Sequence, residues 1–242
     1  SLNRSKVLVL SEDKDIFGGE LDNTILKDQL NLMRVGEPMY VFYGYVEDGY
    51  DENGHIVYKN MDDDPAITAA DKTIIGDPNP DFLVNLTTAV SYKGFTLSAF
   101  FQSSIGNDIY SLSMAAQAYD YGYNGNTLRE VYYNHWTPEN PTAKYPNLDQ
   151  TSYKMSDRFV YDGSFVRLKN LELAYDVPCA RSKFIKRARV YVSAQNLFTI
   201  TSYPFWDPDI NANGGGSSMI QGVDSYCYPS ARTYTIGCRL TF

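Results

Sequence analysis

Between residues 60 and 71 the chain reads NMDDDPAITAAD, a run whose side-chain oxygens are spaced for holding a cation. With Asn60 as the first of twelve positions, donors fall at Asn60, Asp62, Asp64, Thr68 and Asp71, and Ala66 can offer its backbone carbonyl. That is the spacing of a calcium loop. Two residues speak against it. Pro65 stands where such a loop needs a positive φ, which a ring locked near −65° cannot supply. Asp71 is shorter than the glutamate that closes these loops through both oxygens. A solvated acidic turn is the competing reading. Calcium is the one cofactor these residues offer, and nothing else in the sequence asks for one.

Two further stretches could meet a ligand. WDPDINANGGGSSMIQGVD (206–224) is glycine-rich but opens no helix, so it is no phosphate cradle. As a surface loop it could touch substrate through Trp206, Asp207 and Asp209, or merely be a flexible loop held by one aromatic. Residues 110–136 carry many tyrosines and Trp136, rings that could stack on sugars or serve the loop's own packing. A short helix is expected near 127–134. His55 and His135 stand apart from any arrangement of carboxylate and nucleophile. Cys179, Cys227 and Cys238 show no CxxC spacing and read as small apolar fillers. These residues predict no enzyme.

The elements that would position such residues are strands. In DFLVNLTTAVSYK, Phe82, Val84, Leu86, Val90 and Tyr92 share one face. After Lys93-Gly94, FTLSAFFQS places Phe95, Leu97, Ala99 and Phe101 on one face, which predicts a hairpin. SFVRLKNLELAYDVP, RARVYVSAQNLFTIT and ARTYTIGCRLTF follow. In the second of these, Val190, Val192, Ala194, Phe198 and Ile200 alternate with Arg189, Tyr191, Ser193, Gln195 and Thr199. These runs exceed the usual ~5–6 residues of soluble strands and fit the ~9–11 residues of a tilted strand crossing a bilayer.

The connections are unequal. Those at 93–94 and 178–187 are short; those at 47–80, 103–163 and 202–230 are long and read as structureless. Compact soluble domains rarely hold several such loops, whereas outer-membrane barrels pair short periplasmic turns with long outer loops. Residues 35–46 could cross the membrane or extend an outer loop, and residues 1–10 could end an earlier strand. The net charge of −8 excludes a nucleic-acid binder. No apolar run approaches the ~20 residues of a membrane helix, and no signal peptide or initiator Met is visible, as in a mature product or a fragment. Tyr and Phe number 21 and 12, which suits strands and the aromatic girdles of membrane barrels alike. Two architectures satisfy the pattern: a membrane barrel with its apolar face in lipid, or a soluble all-β carbohydrate-binding sandwich with that face in a core.

The blocks VGEPMYVFYGYVEDGY, IIGDPNPDF, FFQSSIGNDIY, SFVRLKNLELAYDVP, VYVSAQNLFTIT and the last strand occur in an order that resembles the C-terminal part of SusC/RagA family TonB-linked outer-membrane transporters. The resemblance spans nearly all of residues 1–242. It implies an all-β fold: the last six or so strands of a large antiparallel up-and-down transmembrane barrel, with the plug domain absent. It further implies residence in the cell outer membrane, a SusD-like surface lipoprotein as partner, and TonB acting through an N-terminal part missing here. The cargo implied is oligomeric glycan or peptide. Family members often carry Gly where this chain has Pro65. The final strand, with Tyr234 and the terminal Phe242, resembles a barrel-insertion signal.

Overall fold

A computed structural model describes residues 1–242 apart from 3, 13, 19, 23–25, 120–125, 180–183 and 211–218. Five long strands form its largest sheet: β1 (Phe82–Tyr92), β2 (Phe95–Ile105), β3 (Phe165–Val177), β4 (Arg187–Thr201) and β5 (Thr233–Thr241). Each pairs antiparallel with the next, so chain order is spatial order. The hairpin at Lys93-Gly94 forms as expected: φ is 49° and 87° at these two residues, the left-handed pair that a two-residue turn between right-twisted strands requires. Beside β1 lies residue Leu2, bridged to Phe82, with the Leu83 amide donating to the Ser1 carbonyl at 3.0 Å. The sheet therefore has five described strands where six or so were expected, and the start of the chain lies along its β1 edge.

Register carries the alternation across all five strands. Val90, Leu97, Leu173, Val192 and Ile236 form one continuous row, and Tyr92, Phe95, Tyr175, Val190 and Cys238 form the next. Irregularities at Phe100/Phe101 and Leu168/Asn170 keep the face intact, because Leu86, Phe101, Leu168 and Phe198 still align beyond them. The opposite face is polar: Ala89, Ser98, Glu172, Ser193 and Thr235 align, as do Asn85, Gln102, Arg167 and Thr199.

No described part of the chain covers the rows from Val90 to Ile236 and from Tyr92 to Cys238. Val90 is 65% exposed, Val192 46% and Ile236 85%. Strand spacing and rise give this face an area on the order of 700 Å², more than the few hundred Å² of contiguous apolar surface that soluble monomers usually expose. A sandwich needs a second sheet there, and none of the described residues supplies one, so nothing in the packing supports the soluble-module reading.

The hydrophobic core lies instead in the connections. Residues 108–111 pair with 160–162 and with 223–224, zipping the β2–β3 and β4–β5 connections into a small sheet. A second sheet joins 16–17, 31–33, 41–44 and 73–76. Between them pack Leu30, Phe42, Tyr110, Tyr119, Tyr145, Met155, Phe159 and the helix α1 (Leu112–Tyr119). The long connections are thus folded, contrary to the structureless reading; segments distant in sequence supply a core that none holds alone. Residues 35–46 belong here too: Val41 and Phe42 are buried, and Tyr45 exchanges backbone hydrogen bonds with Met155 and Asp157. They extend the loop assembly rather than the long-stranded sheet.

Candidate functional site

The polar face of the sheet and the loop assembly at its end meet around Arg167. Strand β3 carries this guanidinium, 2% exposed, under the β4–β5 connection. Nε donates to Thr199 Oγ1 at 2.9 Å and Nη1 to Ser230 Oγ at 3.2 Å, while Nη2 donates to Asp207. Asp207 also accepts the amides of Asp209 at 2.9 Å and Ser230 at 2.8 Å. Both ends of the connection are therefore fastened to one buried cation. Burial pushes the Asp207 carboxyl up, but these amides and Arg167 outweigh it and hold it below the usual carboxylate range.

A second lock ties the same connection to the helix. Asp224 accepts from Tyr203 Oη at 2.6 Å and from Ser113 Oγ at 3.3 Å. Burial, then the bond to Asp224, pushes the Tyr203 hydroxyl upward. Elsewhere in the assembly Arg158 grips Glu47 with Nε at 2.9 and 2.7 Å, and Ser156 Oγ donates to the same carboxylate at 2.6 Å. Replacing a buried ion pair by packed apolar side chains is often neutral in net stability, whereas removing one partner strands the other without its countercharge.

Of the residues singled out in the sequence, Trp206, Asp207 and Asp209 lie together, but in different roles. Trp206 is 69% exposed. Asp207 is buried in the Arg167 lock, and Asp209 pairs with Arg167 at 3.4 Å and Lys169 at 3.9 Å. Trp136 sits elsewhere, its ring laid against Gly54, whose φ of +79° is left-handed. A Cβ on Gly54 would stand 2.2 Å from the indole. Replacing Gly54 with Val is expected to displace that ring and destabilise the assembly by about 2 kcal/mol or more, from backbone strain and overpacking. Trp fluorescence and thermal unfolding of the complete protein check this. The expected helix near 127–134 is α2 (Arg129–Tyr133).

In the acidic run, Asn60 Oδ1 accepts the Asp62 amide at 3.0 Å, Asp62 Oδ1 the Asp64 amide at 2.9 Å, and Asp64 Oδ1 the Ala66 amide at 3.0 Å. Buried Asp71 accepts the amides of Met61 and Thr68, both at 2.7 Å, which hold its carboxyl below the usual range. Thr68 Oγ1 in turn accepts the Ala70 amide at 3.2 Å, capping a single helical turn. Among the described residues no three His, Cys, Asp or Glu side chains gather as a metal site. His55 lies 2.9 Å from Asp149, with no nucleophile in that contact. Tyr234 and Phe242 are 69% and 71% exposed at the last strand, Tyr234 on the apolar face.

Sequence reasoning missed Arg167, Asp224 and Tyr203. The only signal was a basic residue in the middle of an otherwise strand-like run, and its acidic partners lie 40 or more residues away.

No family model matches the sequence. The chain is 32% identical over its whole length to the TonB-dependent receptor P3 of Formosa agariphila, covering 26% of that protein. It is 30% identical to the TonB-dependent receptor SusC of Bacteroides thetaiotaomicron over 86% of this chain and 20% of that one. A solved structure of the RagAB peptide importer in its open-open state superposes with a TM-score of 0.74 at 25% identity, over 98% of this chain and 25% of that one. The relatives are receptors and importers, not enzymes, and the homology assigns the chain to the outer membrane. It is a homologue of the SusC/RagA-type TonB-dependent outer-membrane transporters, spanning about a quarter of such a receptor's length.

Proposed function

We propose that these residues form an arc of barrel wall in a TonB-dependent importer of oligomeric nutrients. The apolar face of β1–β5 meets lipid, the polar face looks into the lumen, and the loop assembly builds the outer mouth. The observation that carries this reading is the uncovered apolar row Val90, Leu97, Leu173, Val192, Ile236 lying opposite a polar row, while the core sits in the connections. Aromatic residues at the short-turn end support it: Tyr92, Phe95 and Tyr175, the last two with ring centroids 4.5 Å apart, stand where a girdle belongs.

The complete receptor works with a SusD-like lipoprotein over its mouth and takes energy from TonB. Its cargo is an oligosaccharide or an oligopeptide, peptide being the cargo named for the RagAB matches. The chain's own part is structural and selective rather than catalytic. The test is uptake of fluorescent oligosaccharides and oligopeptides by cells lacking the receptor. Import of one class should vanish, return with the complete receptor, and fail again when TonB is inactivated. Uptake unchanged by the deletion would overturn the proposal.

A further inference from the structure

Inside the loop assembly a small cavity presents a cation without a counter-ion. It measures about 200 Å³ and is lined by Leu26, Asp28, Tyr45, Tyr153, Lys154 and Met155. The backbone around Lys154 is fixed: its amide donates to Tyr58 Oη at 2.9 Å, and the Met155 carbonyl accepts the Tyr45 amide at 2.8 Å. The Lys154 ammonium stands 4.9 Å from the centroid of the Tyr45 ring, which holds it over the cavity wall. Lys154 is half-buried, yet it forms no ion pair among the described residues. Asp28, on the short strand Lys27–Gln29, is already neutralised. One of its oxygens accepts Lys72 Nζ at 2.5 Å and the other the Gln29 amide at 2.8 Å.

Partial burial strips an ammonium of water, and the cost is recovered only by an anion. The cavity is smaller than the ~300–1,000 Å³ that encloses a whole drug-sized ligand, so it suits one end of an oligomer rather than its length. We propose that it binds the C-terminal residue of an oligopeptide. The terminal carboxylate pairs with Lys154, the last backbone N–H donates to Asp28, and the side chain packs on Leu26 and Met155. A carboxylate has about four lone-pair positions, so Asp28 can take a neutral N–H beside its two present partners. An N-terminal ammonium would find Asp28 already paired and Lys154 repelling it. An acidic sugar would satisfy Lys154, but its several hydroxyls would face the apolar walls of Leu26 and Met155. The inference deepens the importer reading and rests on it, taking the loop assembly as the mouth and oligopeptide as the cargo.

Fluorescence anisotropy tests it, using the complete receptor in detergent and N-terminally labelled oligopeptides of mixed sequence, each made with a free and an amidated C-terminus. The wild-type receptor should bind the amidated form about tenfold more weakly. The Lys154→Gln receptor should bind both forms equally, at the weaker affinity, and Lys154→Arg, which keeps the charge, should restore the difference. Lys59→Gln, at an exposed lysine outside the cavity, should leave the difference intact. The two peptide forms on the wild type decide the matter even where a variant fails to fold. Equal binding of the two forms by the wild type, or no binding of either, overturns the site. So does a difference that survives in a folded Lys154→Gln receptor. Competition by an oligouronate overturns it too, since the pocket would then take any carboxylate. In each of these cases a receptor that still imports oligopeptides or oligosaccharides leaves the importer reading standing; one that imports neither overturns both.

Discussion

Val192→Arg is expected to destabilise the receptor in a bilayer by about 2–4 kcal/mol, the cost of a cation facing hydrocarbon near the midplane. Val192 lies near the middle of the β4–β5 pairing, between Leu173 and Ile236. Its neighbour Ser193 points to the opposite face, paired with Glu172 and Thr235. Ser193→Arg should therefore change stability by about 0.5 kcal/mol or less, as at an ordinary wet surface. Urea unfolding of both variants in lipid vesicles measures the difference. If the apolar face met water, Val192→Arg would be as mild as Ser193→Arg. Equal effects would thus sink the barrel-wall reading, whatever the receptor imports.

Removing the buried cation beneath the β4–β5 connection is the second large effect. Arg167→Ala should cost about 3–5 kcal/mol, because it leaves Asp207 desolvated without its partner. The loss should appear as a lower unfolding temperature of the complete receptor and as new protease cuts within 203–232, the segment fastened by Asp207 and Ser230. Asp207→Asn should cost less, since the amide oxygen still accepts one backbone N–H. The acid response has a definite sign. Asp207 titrates below the ordinary carboxylate value of about 3.9, so its contribution is complete above that pH. It is lost as pH falls through the lower folded value. The wild-type connection should therefore loosen only in strong acid, and Asp207→Asn should flatten that dependence. A wild-type connection that loosens already between pH 5 and 7 would contradict this account.

The two effects come from opposite faces of the same strands, and they separate the two tasks of the segment. Residues such as Val192 make no specific partner necessary; hydrocarbon of any kind suffices. Arg167 has five donors and a fixed geometry, so it determines where one connection lies relative to the sheet. Loss of the first should impair insertion, whereas loss of the second should leave an inserted sheet with a loosened mouth.

What the sequence determined by itself is the part governed by period two. Phe82 to Tyr92, Phe95 to Phe101, Val190 to Ile200 and Tyr234 to Leu240 each display their face locally, and Lys93-Gly94 displays its turn, because neighbouring residues alone set which side a strand residue faces. The tertiary structure alone decided that no described part of the chain packs on the rows from Val90 to Ile236 and from Tyr92 to Cys238, since alternation is the same whether the far side is lipid or a second sheet. It also decided that Phe42, Tyr110 and Tyr145 share one core, that Trp136 lies on Gly54, and that Arg167 meets Asp207. Each of these joins residues 35 or more positions apart, through connections with no repeating period. Their meeting depends on how the strands between them are registered, which is a property of the folded sheet and not of any window of the chain.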